Sequence, residues 1–197
     1  YWKVLDFWCW EKPYKDILKF DKYIWVDFKS SGHDNSQNDV DYFWDWKVLP
    51  FDCNTFDSCI STEVFEHIFN IEEVLLELHR VLKKWWKLVI TIPFVIHEHE
   101  TPYDFARYTS YWIHSLLENN WFKVIKNEKY WSYFHVIWQL IIWFLWKITE
   151  INNKYVTLLL RIIFVAPIMI FTNIVSLIAP RMQKGMYLSN TLVVEKI

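Results

Sequence analysis

Two glycines, Gly32 and Gly185, serve a chain of 197 residues. Glycine takes left-handed backbone conformations at no steric cost, and it is the usual residue where helices end and strands turn. A chain with two must build nearly every turn from residues that carry a Cβ. Its counterpart is an excess of tryptophan, 14 residues, placed where glycine is expected. Trp85-Trp86 separate the helical run Ile71 to Lys84 from the strand-like run Lys87 to Ile92. Trp121 stands between another helix end and another strand, and Trp8 and Trp10 follow the apolar run Val4 to Phe7, where a Gly-x-Gly turn belongs. Trp25, Trp46, Trp112 and Trp131 also fall at expected turns or element edges. The expectation is that Trp2, Trp8, Trp10, Trp25, Trp44, Trp46, Trp85, Trp86, Trp112, Trp121 and Trp131 stand in place of glycine. Their restoration returns glycine to roughly the usual 7%. The codon UGA is read as tryptophan in some genetic codes and as glycine in at least one other, which supplies a route. Trp138, Trp143 and Trp146 lie in an apolar helical stretch and are left open.

Composition narrows the class. Hydrophobic residues at 53% and charged residues at 22% exclude a disordered, collagen-like or disulfide-scaffold chain, and the length suits one domain with its own core. A net charge of -2 offers no basic field, so no nucleic-acid partner is expected. Cys9, Cys53 and Cys59 are scattered and odd in number, which points to a reducing, cytoplasmic compartment. Nothing resembles a signal peptide. The chain opens at Tyr1 already entering a strand, so a preceding segment is expected.

Apolar runs alternate with helical patterns. Strands are expected at Lys3–Phe7, Tyr23–Val26, Val40–Phe43, Ser58–Ser61, Lys87–Ile92, Phe122–Lys129 and Thr191–Lys196, with helices at Pro13–Phe20, Ile71–Lys84 and Ser110–Asn119. In Ile71–Lys84, Val74, Leu75, Leu78, Val81 and Leu82 recur at amphipathic helical spacing. This alternation predicts an α/β fold: a doubly wound, mostly parallel seven-stranded sheet with helices on both faces. Residues 1–131 with 187–197 form that domain, and 132–186 form an apolar helical insertion before the last strand. Trp131 to Trp146 carries no Asp, Glu, Lys or Arg, and Ile162 to Pro180 is uncharged over 19 residues, long enough to be weighed as a membrane span. Pro167 interrupts that stretch and Thr172, Asn173 and Ser176 make it partly polar. Two readings are therefore left in balance: interfacial helices, with Lys147, Lys154, Arg161, Arg181 and Lys184 reaching lipid headgroups at the inner face of the cell membrane, and a soluble hydrophobic cap.

With glycine restored, Val4-Leu5-Asp6-Phe7-Trp8-Cys9-Trp10 becomes a strand followed by a Gly-x-Gly turn. Tyr23 to Asp27 reads as a second strand ending in an acid. Asp45-Trp46-Lys47-Val48-Leu49-Pro50-Phe51 precedes Phe56-Asp57, Glu63-Val64-Phe65-Glu66-His67 follows the fourth strand, and Glu77-x-x-Arg80-Val81-Leu82-Lys83 leads to Trp85-Trp86. In this order the motifs resemble the class I S-adenosylmethionine-dependent methyltransferases of the methyltransferase-11 type. The resemblance covers nearly the whole chain and implies a Rossmann-like fold and S-adenosylmethionine as cofactor. It also implies a cofactor site drawn from Asp6, Trp8, Trp10, Asp27, Asp45, Trp46 and Glu63. Asp27 at a strand end can accept both ribose hydroxyls, and Asp45 can accept the adenine amino group. A Gly-rich turn lets backbone N–H groups approach the methionine carboxylate; taken literally, Trp8 and Trp10 would fill that place. Glu11-Lys12-Pro13 stands where many such loops carry a third glycine.

The segment after the fifth strand, His97-Glu98-His99-Glu100-Thr101-Pro102-Tyr103-Asp104-Phe105-Ala106-Arg107-Tyr108, resembles the family's acceptor-side segment. Methyl transfer asks the protein to align the acceptor and remove a proton. His99 is the first candidate base and His67 the second, with His97, Asp104, Arg107 and Tyr108 as acceptor contacts. Asp104 and Arg107 can equally be an internal ion pair holding the loop. His97 and His99 share a face if the segment is extended, yet no second ligand cluster accompanies them, so no metal is predicted. The resemblance implies a small-molecule, sugar or lipid-linked saccharide acceptor. The alternative is a non-catalytic, membrane-associated or partner-binding module with a degenerate nucleotide-binding fold, which gains force if the tryptophans are real.

Overall fold

The computed structural model describes residues 1–8, 12–28, 40–45, 47–178 and 185–197. They divide into two compact units, residues 1–128 with 189–197, and residues 129–188. The first is built on seven strands: β1 (Lys3–Phe7), β2 (Lys22–Phe28), β3 (Tyr42–Trp44), β4 (Phe56–Thr62), β5 (Leu82–Pro93), β6 (Phe122–Tyr130) and β7 (Ser189–Lys196). Their order across the sheet is β3-β2-β1-β4-β5-β7-β6. β1 through β5 pair in parallel, and β7 returns antiparallel to β5 with Leu88 opposite Val194 and Ile90 opposite Leu192. The expected doubly wound, seven-stranded, mostly parallel sheet is therefore present, with a helical stretch before its last strand. Central strands of such a sheet are covered on both faces, which is why β1 and β2 read as continuous apolar runs instead of alternating ones.

Helix α1 (Ile71–Val81) turns Val74, Leu75, Leu78 and Val81 into the core, and α2 (Ser110–Asn119) adds Ile113 and Leu117. The Thr109 hydroxyl caps α2 by accepting from the Trp112 amide. α1 also fixes a loop on the sheet edge. Glu77 accepts from the Leu49 amide at 2.8 Å, and Arg80 donates to the Phe51 and Leu49 carbonyls at 2.7 and 2.9 Å while forking onto Glu77. The Leu-Pro-Phe and Glu-x-x-Arg stretches are thus two halves of one clamp.

Several sequence expectations are corrected. α1 ends at Val81 and not at Lys84, because the buried Leu82 is already extended and paired with Phe56. Between that pair and Ser58–Lys87, β5 carries surplus residues as a bulge that includes Trp85 and Trp86. Pro13–Phe20 is a succession of turns, with Ile17 and Leu18 exposed; without a face to bury, so short a segment gains little from being helical. Trp25 lies inside β2 in the core and not at an edge, whereas Trp112 falls in the first turn of α2, at an element edge as expected.

The second unit contains α3 (Tyr133–Ile148), α4 (Lys154–Leu160), a π turn (Arg161–Val165) and α5 (Ala166–Ile178). The turn between α3 and α4 is closed by Thr157, whose hydroxyl bonds both the amide and the carbonyl of Ile151. Trp138 meets Phe171 edge-on at 5.7 Å and the Arg161 guanidinium lies 3.8 Å over Trp146, so the two helical arms pack side by side. Pro167 does not interrupt the helix as expected. It sits in the first turn after the π segment, where the widened ladder accommodates a residue with no N–H. Lys154–Val175 is consequently one helical stretch of 22 residues, long and apolar enough to cross a membrane and scarcely buried.

Candidate active site

In an open parallel sheet, ligands collect beyond the carboxyl ends of the strands where the strand order reverses; here that point lies between β1 and β4. Trp8, Asp27, Thr62, Glu63, His67 and Glu100 line a cavity of about 230 Å³ there. Trp8 follows β1 with φ 63 and donates its amide to the Val26 carbonyl at 2.8 Å. Its indole lies tilted against the rings of Phe28 and His67, with centroids 5.9 and 6.2 Å away. Asp27 is 3% exposed and receives the Phe28 amide at 2.6 Å. Glu63 follows β4, also with positive φ, its amide held by the Thr91 carbonyl at 2.9 Å; burial raises its pKa above the ordinary value.

Not every expected residue reaches this cavity. Asp6 is buried within β1 and accepts from the Tyr23 hydroxyl. Asp45 is exposed beyond β3, where it accepts from the Lys47 amide. Trp10 and Trp46 lie outside the described residues.

The segment after β5 is fastened over the short 3-10 turn Phe65–His67. The Phe105 and Ala106 amides donate to the Glu66 carbonyl at 2.9 and 3.2 Å, and His67 Nδ1 lies 3.0 Å from the Tyr103 carbonyl. Asp104 receives the Arg107 fork at 2.5 and 2.6 Å and the His99 amide at 3.0 Å. Burial opposes ionisation of Asp104, but the Arg107 bonds outweigh it and hold the carboxyl at about 2. The pair is therefore an internal strut. Tyr108 stacks on Trp112 at 4.6 Å, and burial, reinforced by the Glu66 charge, pushes its phenol up to about 12. His97 is exposed, with its carbonyl accepting from Arg107. His99 turns toward the 3-10 turn, its ring 4.8 Å from that of His67. Burial lowers the His67 pKa, so that imidazole is neutral at pH 7. Sequence reasoning passed over Glu66. It is fully buried between the two histidines, 3.7 Å from His67 Nε2 and 3.8 Å from His99 Nε2. Its presence three residues after Glu63 on a short helical turn was the available signal.

The residues present fit the implied cofactor in part. A buried acid at the end of β2 suits a ribose, and the β1–β4 crevice suits a nucleotide. The cavity, at about 230 Å³, is smaller than the roughly 300–1,000 Å³ of small-molecule sites, and the Trp8 side chain takes part of that room.

Residues 29–90 match the model of the methyltransferase domain family. No curated protein matches the chain in sequence. Among solved structures, an S-adenosylmethionine-dependent methyltransferase from Archaeoglobus fulgidus superposes with a TM-score of 0.60 at 14% identity, covering 99% of this chain and 86% of that one. A phosphoethanolamine N-methyltransferase 2 from Haemonchus contortus, in complex with S-adenosyl-L-methionine, gives 0.56 at 17% identity, covering 99% of this chain and 48% of that one. An S-adenosylmethionine-dependent methyltransferase from Aquifex aeolicus gives 0.51 at 18% identity over 65% of this chain and 76% of that one. Such identities show the fold alone, and the family match is confined to residues 29–90. Together with the strand order they give the chain the Rossmann-like fold of the class I S-adenosylmethionine-dependent methyltransferases.

Proposed function

We propose that the chain methylates a small-molecule acceptor, a sugar or a lipid-linked saccharide, and that His99, with His67 behind it, handles the acceptor's proton. The cofactor, when bound, supplies an electrophilic methyl group; the chain must orient the acceptor and manage its proton. The observation that carries this reading is the fastening of 97–108 over the Phe65–His67 turn, which sets the partly exposed His99 imidazole against His67, a residue of the cavity wall. Asp104, held by Arg107, positions His99. On this reading Asp27 binds the cofactor ribose, and Asp27→Ala weakens cofactor binding by about 1–3 kcal/mol, the cost of unmade hydrogen bonds. His99→Ala lowers turnover far more than cofactor affinity.

The same reading needs glycine at position 8. Trp8, Trp85, Trp121 and Trp131 all have φ between 63 and 72, a region where a Cβ crowds the following carbonyl at a cost of about 1–2 kcal/mol. These backbone angles support the inference that the working protein carries glycine there. Calorimetric titration with S-adenosylmethionine tests it: Trp8→Gly binds saturably and the Trp8 chain binds weakly or not at all. If Trp8→Gly does not bind either, the chain is a non-catalytic module on a nucleotide-binding fold.

The helical unit supports peripheral contact with the cytoplasmic face of the membrane. Its apolar arms are mostly exposed, and an open recess of about 710 Å³, lined by Trp146, Tyr155, Leu158, Ile162 and Met169 among others, is of a size and polarity to take an acyl chain.

A further inference from the structure

Three buried or half-buried side-chain atoms that can each offer a lone pair face one another beside the cavity. Glu66 is fully buried, and neither of its carboxylate oxygens has a hydrogen-bond partner. His67 Nδ1 lies 3.0 Å from the Tyr103 carbonyl, which can only accept, so that nitrogen carries the proton and Nε2 presents a lone pair. Nε2 is likewise buried without a hydrogen-bond partner, 3.7 Å from Glu66 Oε1 and 3.8 Å from Glu100 Oε2. His99 repeats the arrangement. Its Nδ1 is 3.2 Å from the His97 carbonyl and 3.3 Å from Asp104 Oδ2, and its Nε2 is 3.8 Å from Glu66 Oε1. One ligand atom from each of Glu66, His67 and His99 lies within 4.8 Å of the others. Converging lone pairs in a buried site are unfavourable unless a cation or a proton sits among them.

We propose that Glu66, His67 and His99 bind one divalent first-row transition ion, of the class of Zn²⁺, Mn²⁺ or Fe²⁺. Two imidazole nitrogens with one carboxylate favour such ions over Mg²⁺ or Ca²⁺, which prefer all-oxygen shells. Ligand atoms around such an ion stand about 3–3.5 Å apart at bonds of about 2.1 Å, so the cluster closes on it with sub-ångström movement. Each imidazole already donates its other nitrogen to a carbonyl or carboxylate, the outer support that metal-bound histidines characteristically have. His67 and Glu100 line the cavity, so the ion sits in its wall with Glu100 and free positions turned toward an acceptor oxygen, whose hydroxyl it would polarise. This deepens the reading that the His67–His99 pair handles the acceptor's proton: the imidazoles do so as ligands of an ion and not as free bases.

The test is binding, read without turnover. The 197-residue chain, stripped with a chelator and dialysed, is titrated with Co²⁺ under visible absorption and with Zn²⁺ in a calorimeter. One ion per chain binds, with the absorption of a nitrogen- and oxygen-ligated site. Glu66→Gln and His99→Asn abolish binding while circular dichroism shows the fold retained. Asp104→Asn, which touches His99 only from outside, weakens it about 10–100-fold, and His114→Ala, remote on α2, leaves it unchanged. Absence of binding at millimolar ion, or equal binding by Glu66→Gln, overturns the proposal. So does a Glu66→Gln chain with raised and metal-independent thermal stability, because a proton shared by Glu66 and an imidazole then fills the gap. Ion binding without any methyl transfer would remove the acceptor reading and leave the metal site standing.

Discussion

α1 and α3 are both rich in apolar residues, yet they meet opposite fates. α1 has 11 residues and buries Ile71, Val74, Leu75, Leu78 and Val81, while Glu72 and Glu73 hold its other face in water. α3 has 16 residues and buries Val136 alone. It has no acid and a single lysine, in its last turn. An amphipathic helix has one face to hide and one to solvate, so a single sheet satisfies it. A helix apolar all round needs cover on every side, and the chain supplies α3 with one neighbouring arm. The difference teaches that apolar content alone does not say what a helix packs against. The polarity of its remaining face does, and for α3 that face is apolar and, among the described residues, largely uncovered.

The largest effect expected is on partition. Intact protein floats with vesicles containing anionic lipid, and a chain in which a short polar loop replaces residues 132–186 stays at the bottom of the gradient. A monomeric intact protein that ignores such vesicles would break the comparison, making the helical unit a soluble cap. Next in size is the cost of truncation. Leu78→Ala on α1 should lose about 2–5 kcal/mol, as buried leucines do. Phe144→Ala on α3, where the ring is 63% exposed, should stay within about 0.5 kcal/mol. Urea unfolding in mild detergent compares them directly, and equal losses would mean that α3 is covered in solution.

A smaller effect tests the clamp that α1 closes on the 49–51 loop. Arg80→Ala strands two carbonyls and Glu77, at about 1–3 kcal/mol. Glu77 also carries a pH signature. Its hydrogen bonds with Arg80 lower its pKa below 4.5 in the folded state, against a smaller opposing contribution from burial. Its stabilisation is therefore complete above the ordinary glutamate range and lost as pH falls through that lowered value. Arg80→Ala should flatten the acid side of the stability curve. An unchanged acid limb would show that the clamp contributes nothing.

Much of the sheet unit was legible because period and polarity agree there. β1, β2, β4 and α1 each carry a buried run bounded by polar residues, and the motif order placed Asp27, Glu63 and His67 at one edge. Boundaries failed where tertiary pairing overrode local pattern. Leu82 continues the helical periodicity of α1, but its partner is Phe56 in the sheet. Pro167 reads as a break from its chemistry alone, and the preceding π turn that absorbs it has no sequence signature. Glu66 was hidden for a different reason. An acid beside a histidine reads as a surface turn, and only the return of 97–106 over it buries the carboxylate and brings His99 to its far side.

The smallest effects distinguish tryptophans that the backbone tolerates from those it does not. Trp121 has φ 65 and is 62% exposed, so its indole contributes little packing while its Cβ is crowded. Trp121→Gly should stabilise the chain by about 1 kcal/mol, the steric cost of a left-handed residue that carries a side chain. Trp112 sits within α2 at ordinary helical angles, with its ring stacked on Tyr108. There the same change removes a stacked ring and adds the entropy cost of glycine in a helix, roughly 0.5–1 kcal/mol before the lost contact is counted. Opposite signs from one substitution at two ends of the same helix are what the backbone angles predict, and thermal unfolding of the two variants reads them side by side. If both destabilise, Trp121 is at home in its turn, and the inference that glycine belongs at the positive-φ positions fails with it.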